Sequence, residues 1–270
     1  MADPLPGEAL DSYYESDRRH GEEAYQDHDK NLRSFGAILE RIERYVPPGR
    51  LLDIGCSIGT SLVAARVRGW RPTGIEPSRP VAEFGRKEWG LDIRCARLED
   101  AGLADGSFPA VLMHHTLEHL RDPGTAIESA YRLLQAGGVM YQALPNFDSL
   151  KSRLFGPHWG YGVHSDHLSF FGPRTLSLLL RRHGFEILEL CTKSHKNDPR
   201  LLHDVMSKLG RIDLLMRWCG KPGGDFDPDS YLRFLAEHRW ANWICNRMWP
   251  SRLVSLAGLG EELHVLARRN

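Results

Sequence analysis

The stretch Leu51-Leu52-Asp53-Ile54-Gly55-Cys56-Ser57-Ile58-Gly59-Thr60 decides the fold. An apolar run that ends in glycines, then an Ala-rich segment and then Pro72-Thr73-Gly74-Ile75-Glu76 predict a β-α-β unit. Because Gly55 and Gly59 lack a Cβ, the chain between them can curl close to a small molecule, and the next helix presents N–H groups to an anion. An acid at the tip of the second strand suits a carboxylate that binds two ribose hydroxyls. The sequence therefore predicts a nucleoside site.

The glycine spacing bears on which nucleoside is bound. A dinucleotide site normally shows Gly-x-Gly-x-x-Gly, whereas this chain has Gly-x-x-x-Gly with Ser57 in the middle. An NAD(P)-dependent oxidoreductase would share the β-α-β unit and the acid but would want the missing glycine. A nucleoside-binding protein without catalysis would keep Gly55, Gly59 and Glu76 and use its histidines only structurally. The spacing alone leaves both alternatives open.

The pattern Asp53-x-Gly55-x-x-x-Gly59, followed by Glu76, resembles the first two motifs of the class I S-adenosylmethionine (SAM) dependent methyltransferases. The resemblance extends from about Arg50 to Cys191 and resumes near the C-terminus. It implies a doubly wound, mostly parallel, seven-stranded Rossmann-like α/β sheet with an antiparallel last strand, and SAM as the cofactor. The predicted cofactor-binding residues are Asp53, Gly55, Cys56, Gly59, Glu76, Leu98, Glu99 and His114.

A histidine-rich run, His114-His115-Thr116-Leu117-Glu118-His119-Leu120, follows the fourth predicted strand. Open α/β sheets bind ligands at the carboxyl ends of their strands, and the Leu-Glu-His-Leu form is shared with the resembled family. We therefore predict that His119 is a general base or a ligand-facing residue and that Glu118 orients it. The alternative is that each histidine is structural.

A long aromatic, glycine-rich and histidine-rich segment, 155–173, follows the fifth predicted strand. Long loops without secondary structure are usually functional when they are ordered. We predict that His164 and His167 are catalytic together with His119. The predicted substrate-binding residues are Trp159 and Tyr161 of this loop and Tyr14 near the N-terminus.

Metal and disulfide signals are weak in this sequence. The five cysteines are scattered without a Cys-x-x-Cys pair, which argues against a disulfide framework or a zinc ribbon. The loop histidines His158, His164 and His167 have only Asp166 as a neighbouring ligand type, at no recognisable ligand spacing. No metal ligands are predicted.

Composition restricts the partners. Lys plus Arg and Asp plus Glu balance at 35 each over 270 residues, which argues against a nucleic-acid-binding surface. The N-terminal residues are not basic and precede no apolar segment, and no apolar run reaches about 18 residues. We expect a soluble, cytoplasmic protein that acts on a small molecule.

The chain divides into four predicted segments: an N-terminal arm and helix at 1–46, a SAM-binding α/β core at 47–193, a helical insertion at 194–259 and a last strand at 260–270. Within the core, Gly137-Gly138 are predicted to end a helix before the strand Val139–Leu144. The arm is either loosely held or, as in the resembled methyltransferases of the ubiquinone-biosynthesis type, a lid over the cofactor. Large apolar residues at 200–256 fit packed helices, a substrate wall, a dimer surface, or contact with an apolar substrate or membrane interface. The oligomeric state stays open.

The reaction follows from the resemblance. A sulfonium methyl group is already activated for displacement, so the enzyme mainly aligns a nucleophile and takes its proton. A neutral histidine suits this task and favours transfer to an oxygen, or to a nitrogen, over an unactivated carbon. We expect methylation of a hydroxyl on a small metabolite or on a sugar-, lipid- or quinone-like intermediate.

Overall fold

The computed structural model describes residues 25–156, 159, 166–194, 208 and 251–270. Within these ranges the α-helices are α1 His28–Ile42, α2 Thr60–Val67, α3 Arg79–Trp89, α4 Pro123–Leu133, α5 Leu150–Phe155, α6 Pro173–Arg182 and α7 Ser251–Leu256. The strands are β1 Arg50–Ile54, β2 Arg71–Ile75, β3 Ile93–Arg94, β4 Phe108–His114, β5 Leu134–Pro145, β6 Phe185–Lys193 and β7 Glu262–Arg269. None of the helices in these ranges is long and apolar enough to cross a membrane.

The seven strands form one sheet in the order β3-β2-β1-β4-β5-β7-β6. The pairs β1–β2, β1–β4, β2–β3 and β4–β5 are all parallel. The strand order reverses between β1 and β4, and ligands of open α/β sheets bind at the carboxyl ends of the strands at such a point. The glycine turn after β1 and the histidine run after β4 therefore leave the sheet side by side. The predicted seven-stranded α/β fold is confirmed.

The interior of the sheet is apolar because its central strands are covered on both faces. Four of the five residues of β1 are buried, and only Arg50 is exposed. Helix α1 contributes Ile38, Leu39 and Ile42 to a buried cluster that also contains Leu51 of β1. A near-continuous apolar strand of this kind is typical of parallel sheets. It gives the loops at its carboxyl end a rigid base.

One boundary differs from the sequence prediction. Helix α4 ends at Leu133 and β5 begins at Leu134, so Gly137 and Gly138 lie inside the strand and the prediction that they end the helix is wrong. A Cβ at Gly138 would lie 2.9 Å from the carbonyl oxygen of Gln135 and 3.1 Å from that of Pro109. Close backbone approach, rather than helix termination, accounts for this glycine.

The described residues fall into two compact units. The larger comprises 25–144, 166–190 and 264–270, and the smaller comprises 145–156, 159, 191–194, 208 and 251–263. In the smaller unit the Lys151 ammonium lies 3.0 Å from Glu261 Oε1, and both side chains are only 1% exposed. The Ser194 hydroxyl donates to the same oxygen at 3.1 Å. Removing one partner of a buried ion pair leaves an uncompensated charge, so these groups specify how the smaller unit packs.

Candidate active site

The carboxylate of Glu76 is held in place at the end of β2. Its Oε2 accepts a hydrogen bond from the backbone N–H of Ser57 at 3.0 Å, and its Oε1 accepts one from the N–H of Ser78 at 2.9 Å. Each carboxylate oxygen can accept more than one hydrogen bond. Glu76 thus fixes the turn after β1.

The turn itself runs through left-handed backbone conformations. Gly55, Ser57 and Gly59 have φ values of 77°, 50° and 88°. A Cβ at Gly55 would lie 2.5 Å from Thr116 Oγ1, whose hydroxyl donates to the carbonyl oxygen of Ile54 at 2.9 Å. The first glycine is therefore required both by its φ and by the close approach of the segment that follows β4.

Asp53 lies beneath the turn and is almost completely buried. The Ser61 hydroxyl donates to its Oδ2, whereas Oδ1 has no hydrogen-bond partner among the described residues. Burial raises the pKa of Asp53 to about 7, the hydrogen bond from Ser61 opposes that rise, and the charge of Glu76 adds to it. A buried carboxyl with an orphaned oxygen beside a glycine turn is a polar group that a ligand can satisfy.

Asp53→Asn is expected to remove a pH-dependent loss of stability. The folded carboxyl has a pKa of about 7, against about 3.9 in an unfolded chain, so the folded state holds the proton more tightly. The free energy of unfolding should therefore fall between about pH 4 and pH 7, by about 1.4 kcal/mol per pH unit for this group. Urea unfolding across that range should show a shallower slope in the variant.

The matched control for this titration is Asp105→Asn, which changes an exposed carboxyl in a turn. It should keep the pH slope of the parent protein. If the profiles of Asp53→Asn and the parent run parallel, Asp53 does not titrate as its burial implies.

The other predicted cofactor-binding residues occupy different environments. The Cys56 side chain is buried in a cluster with Leu62, Ala82, Leu91 and Ile93, and burial raises the pKa of its thiol well above the usual value. Its backbone N–H donates to the carbonyl oxygen of Ile75 at 3.0 Å. The remaining three are the half-buried Leu98, the exposed Glu99 and the half-buried His114 at the end of β4.

The chain bends sharply after β4 at a strained residue. His115 has a φ of 52°, uncommon for a residue with a Cβ. Its backbone N–H donates to the carbonyl oxygen of Ala143 at 2.8 Å, and its ring Nδ1 donates to Glu118 Oε1 at 3.2 Å. Burial alone would raise the pKa of Glu118, but the His115 hydrogen bond and the charges of His115 and His119 hold it below its usual value. The bend brings a buried acid to the edge of the sheet.

His119 and His167 meet at this edge although they are far apart in the sequence. Their ring centroids are 4.8 Å apart at an interplanar angle of 71°. The Nδ1 of His119 donates to the carbonyl oxygen of Asp166 at 3.1 Å. The structure thus brings together two of the three histidines that the sequence predicts to be catalytic.

The remaining predicted residues do not belong to the described part of the larger unit. Trp159 is buried in the smaller unit, where its ring centroid lies 6.4 Å from that of Phe147. His164, Tyr14 and Tyr161 lie outside the described residues, as do most of the arm before residue 25 and most of the 194–259 insertion.

Sequence reasoning missed the contacts of His28, the first residue of α1. Its Nδ1 lies 3.0 Å from the Thr60 hydroxyl, and its ring stacks on Trp89 with centroids 4.4 Å apart. This contact sets the start of α1 beside the glycine turn. The only signal in the sequence is a histidine ahead of an amphipathic helix, which does not identify its partner.

Comparison with known proteins agrees with this geometry. Residues 25–190 match a protein-family model described as a methyltransferase domain. The chain is 33% identical over 182 residues to a ubiquinone biosynthesis O-methyltransferase of Dechloromonas aromatica, covering 62% of this chain and 77% of that protein. It is 24% identical over 168 residues to an uncharacterised protein of Methanocaldococcus jannaschii, covering 62% of this chain and 80% of that protein. Matches to five other curated relatives span between 36% and 51% of their length.

A solved structure gives the same fold. A SAM-dependent methyltransferase from Thermotoga maritima superposes with a TM-score of 0.60 at 19% sequence identity, covering 97% of this chain and 99% of that one. The family match spans more than half of the chain and includes both the glycine turn and the histidines after β4. The chain belongs to the class I SAM-dependent methyltransferases.

Proposed function

We propose that this methyltransferase transfers the methyl group of SAM to a hydroxyl oxygen of a small metabolite or of a sugar-, lipid- or quinone-like intermediate. The observation that carries the proposal is the fixed carboxylate of Glu76 beside the left-handed turn that begins at Gly55. It lies at the carboxyl ends of β1 and β2, next to the point between β1 and β4 where the strand order of the sheet reverses. A nearby edge of the same sheet carries the histidines.

The chain's own residues fit the cofactor. Glu76 would accept hydrogen bonds from the ribose hydroxyls, and the left-handed turn at Gly55 and Gly59 would bring backbone N–H groups close to the cofactor in the space beside it. The buried Oδ1 of Asp53 has a free acceptor position next to this space among the described residues. Leu98, Glu99, Cys56 and His114 complete the proposed cofactor site. When bound, SAM supplies an activated methyl group.

The acceptor would lie over the segment that follows β4. His119 and His167, together with His164, are proposed to promote loss of the hydroxyl proton, and Tyr14, Trp159 and Tyr161 to bind the acceptor. Two features support an oxygen acceptor. The paired imidazoles suit a group that must lose a proton before it attacks, and the relative from Dechloromonas aromatica carries the name of an O-methyltransferase.

Isothermal titration calorimetry shows which of the candidate cofactors the protein binds. The protein should bind SAM and should not bind NAD or NADP at comparable concentrations. Binding of NAD with no binding of SAM would overturn the proposed function. Turnover of methyl-labelled SAM with a panel of phenols, catechols and sugars then separates an O-methyltransferase from a protein that binds SAM without catalysis.

His119→Ala is expected to lower turnover by about 10²–10⁴-fold with little change in SAM affinity, because the His119 imidazole would act on the acceptor and not on the cofactor. The control is His183→Ala, a half-buried histidine at the end of α6. It should retain both turnover and SAM affinity. If His119→Ala turns over as fast as the parent with an accepted substrate, the ring has only a structural role.

A further inference from the structure

We propose that Glu118, His119 and His167 form a binding site for one divalent transition-metal ion, and that this ion binds the acceptor hydroxyl. The second half of the proposal rests on the proposed methyl transfer to oxygen, whereas the first half does not. One ligand atom from each of the three side chains lies within 4.8 Å of the other two. The set combines two imidazoles and one carboxylate.

The distances are close to those of a bound set. Imidazole nitrogens and carboxylate oxygens bind zinc-sized ions at about 2.0–2.2 Å, which puts tetrahedral ligand atoms roughly 3.4 Å apart. The two most widely separated ligand atoms, up to 4.8 Å apart, must therefore approach each other by up to about 1.4 Å to reach that spacing. Small rotations about side-chain torsions supply this without moving the backbone.

Glu118 gives an independent reason for a cation at this point. Its side chain is 2% exposed, and its Oε2 has no hydrogen-bond partner among the described residues. Its other oxygen already accepts from His115. A buried carboxylate oxygen without a partner is unfavourable, and a directly bound cation removes that cost.

The backbone holds the three ligands in register. The carbonyl oxygen of Glu118 accepts hydrogen bonds from the N–H groups of Leu168 at 2.8 Å and Ser169 at 3.1 Å. These bonds tie the loop that carries His167 to the turn Leu117–His119. The segments are joined at the site even though almost fifty residues separate them in the chain.

Asp166 orients one of the imidazoles. Its carbonyl oxygen accepts from His119 Nδ1 at 3.1 Å, and its carboxylate Oδ2 lies 3.6 Å from the same nitrogen. Metal-binding histidines commonly donate their second ring N–H to a carboxylate or carbonyl in this way, which fixes the ring and strengthens the ligand. Asp166 is thus a positioning residue for this site.

The ligand types select the ion and its role. Two nitrogens and one oxygen suit Zn²⁺, Fe²⁺, Co²⁺ or Mn²⁺ better than Ca²⁺ or Mg²⁺, which prefer oxygen ligands. Three protein ligands leave room for an oxygen of the acceptor. The ion lowers the pKa of the hydroxyl and the proton leaves to solvent. The oxygen then forms a bond to the methyl carbon as the carbon–sulfur bond breaks, with no change in the oxidation state of the metal.

The test is titration of the full-length, chelator-treated protein with Co²⁺, whose visible absorption reports on the ligands bound. The parent protein should bind one equivalent with the spectrum of a mixed nitrogen and oxygen site. His119→Ala and His167→Ala should each weaken that binding by about 10–100-fold or more. His183→Ala, which changes a histidine on another element, should titrate like the parent.

Each outcome decides the matter. Absence of Co²⁺ binding to the parent overturns the site. Equal binding in His119→Ala, His167→Ala and the parent also overturns it, because the ion would then lie elsewhere. SAM affinity of the same variants, measured by calorimetry, shows that they remain folded. If the parent binds Co²⁺ but not SAM, the proposed function fails and the metal site stands; if it binds SAM but not Co²⁺, the reverse holds.

Discussion

Glu76→Ala is expected to weaken SAM binding by about 10²–10⁴-fold. Two ribose hydroxyls would lose a charged acceptor, and hydrogen bonds to charged groups are worth about 1.5–3 kcal/mol each, where about 1.4 kcal/mol is tenfold in affinity. The structure adds a second cause. The N–H groups of Ser57 and Ser78 would lose their acceptor, so the glycine turn would also lose its support.

Calorimetric titration with SAM measures this loss. Glu76→Gln keeps one acceptor oxygen and should fall between the alanine variant and the parent. Glu88→Ala removes an exposed carboxylate from α3, the helix that follows β2, and this variant should bind SAM with the affinity of the parent. Parent-like affinity in a folded Glu76→Ala protein would place the ribose elsewhere.

Gly55→Val is expected to abolish measurable SAM binding and to lower stability. The φ of 77° is costly for a β-branched residue, by about 1–3 kcal/mol. In addition, the new Cβ would lie 2.5 Å from Thr116 Oγ1 and 2.7 Å from Thr116 Cγ2. Thr116 would have to move, and its hydrogen bond to the Ile54 carbonyl oxygen would be lost. The end of β4 would shift together with the turn.

Thermal unfolding and SAM titration separate the two costs, and the chain offers a matched control. Gly106 has a φ of 63° but nothing within 4 Å of a Cβ built on it. Gly106→Val therefore carries the backbone cost without the clash, and it should lower the unfolding temperature while leaving SAM affinity intact. A Gly55→Val protein that is folded and binds SAM like the parent would show that the turn is not part of the cofactor site.

The sequence predicted the fold and the glycine turn after β1 because their signals are local. The apolar run of β1, the glycines at 55 and 59 and the acid at 76 lie within one β-α-β unit, and their spacing carries the geometry. The alternation of strands and helices along the sequence extended the prediction from this unit to the whole sheet. Gly138 shows the limit of such reasoning, because a Cβ there would lie 3.1 Å from the carbonyl oxygen of Pro109 on the neighbouring strand.

The arrangement around the histidines was only partly predictable. The position of His119 after β4 followed from the strand pattern, but its contacts with Asp166 and His167 depend on a loop almost fifty residues later. The contact between Thr116 and Gly55 was also not predictable, because the spacing of residues in the sequence does not show it. Side chains that meet through tertiary folding, and the strain at His115, are set by the packing of strand ends and not by periodicity.

The smaller unit contains both ends of the long chain excursion between β6 and β7, residues 194–261. Ser194 donates to Glu261, and the N–H of Gly260 donates to the Thr192 hydroxyl at 3.0 Å, so the two ends of the excursion are fastened together. Closing a chain between fixed ends has an entropy cost that grows only logarithmically, by about 0.6 kcal/mol for each doubling of its length. With its ends pinned, this excursion can lengthen or shorten at little entropic cost to the sheet.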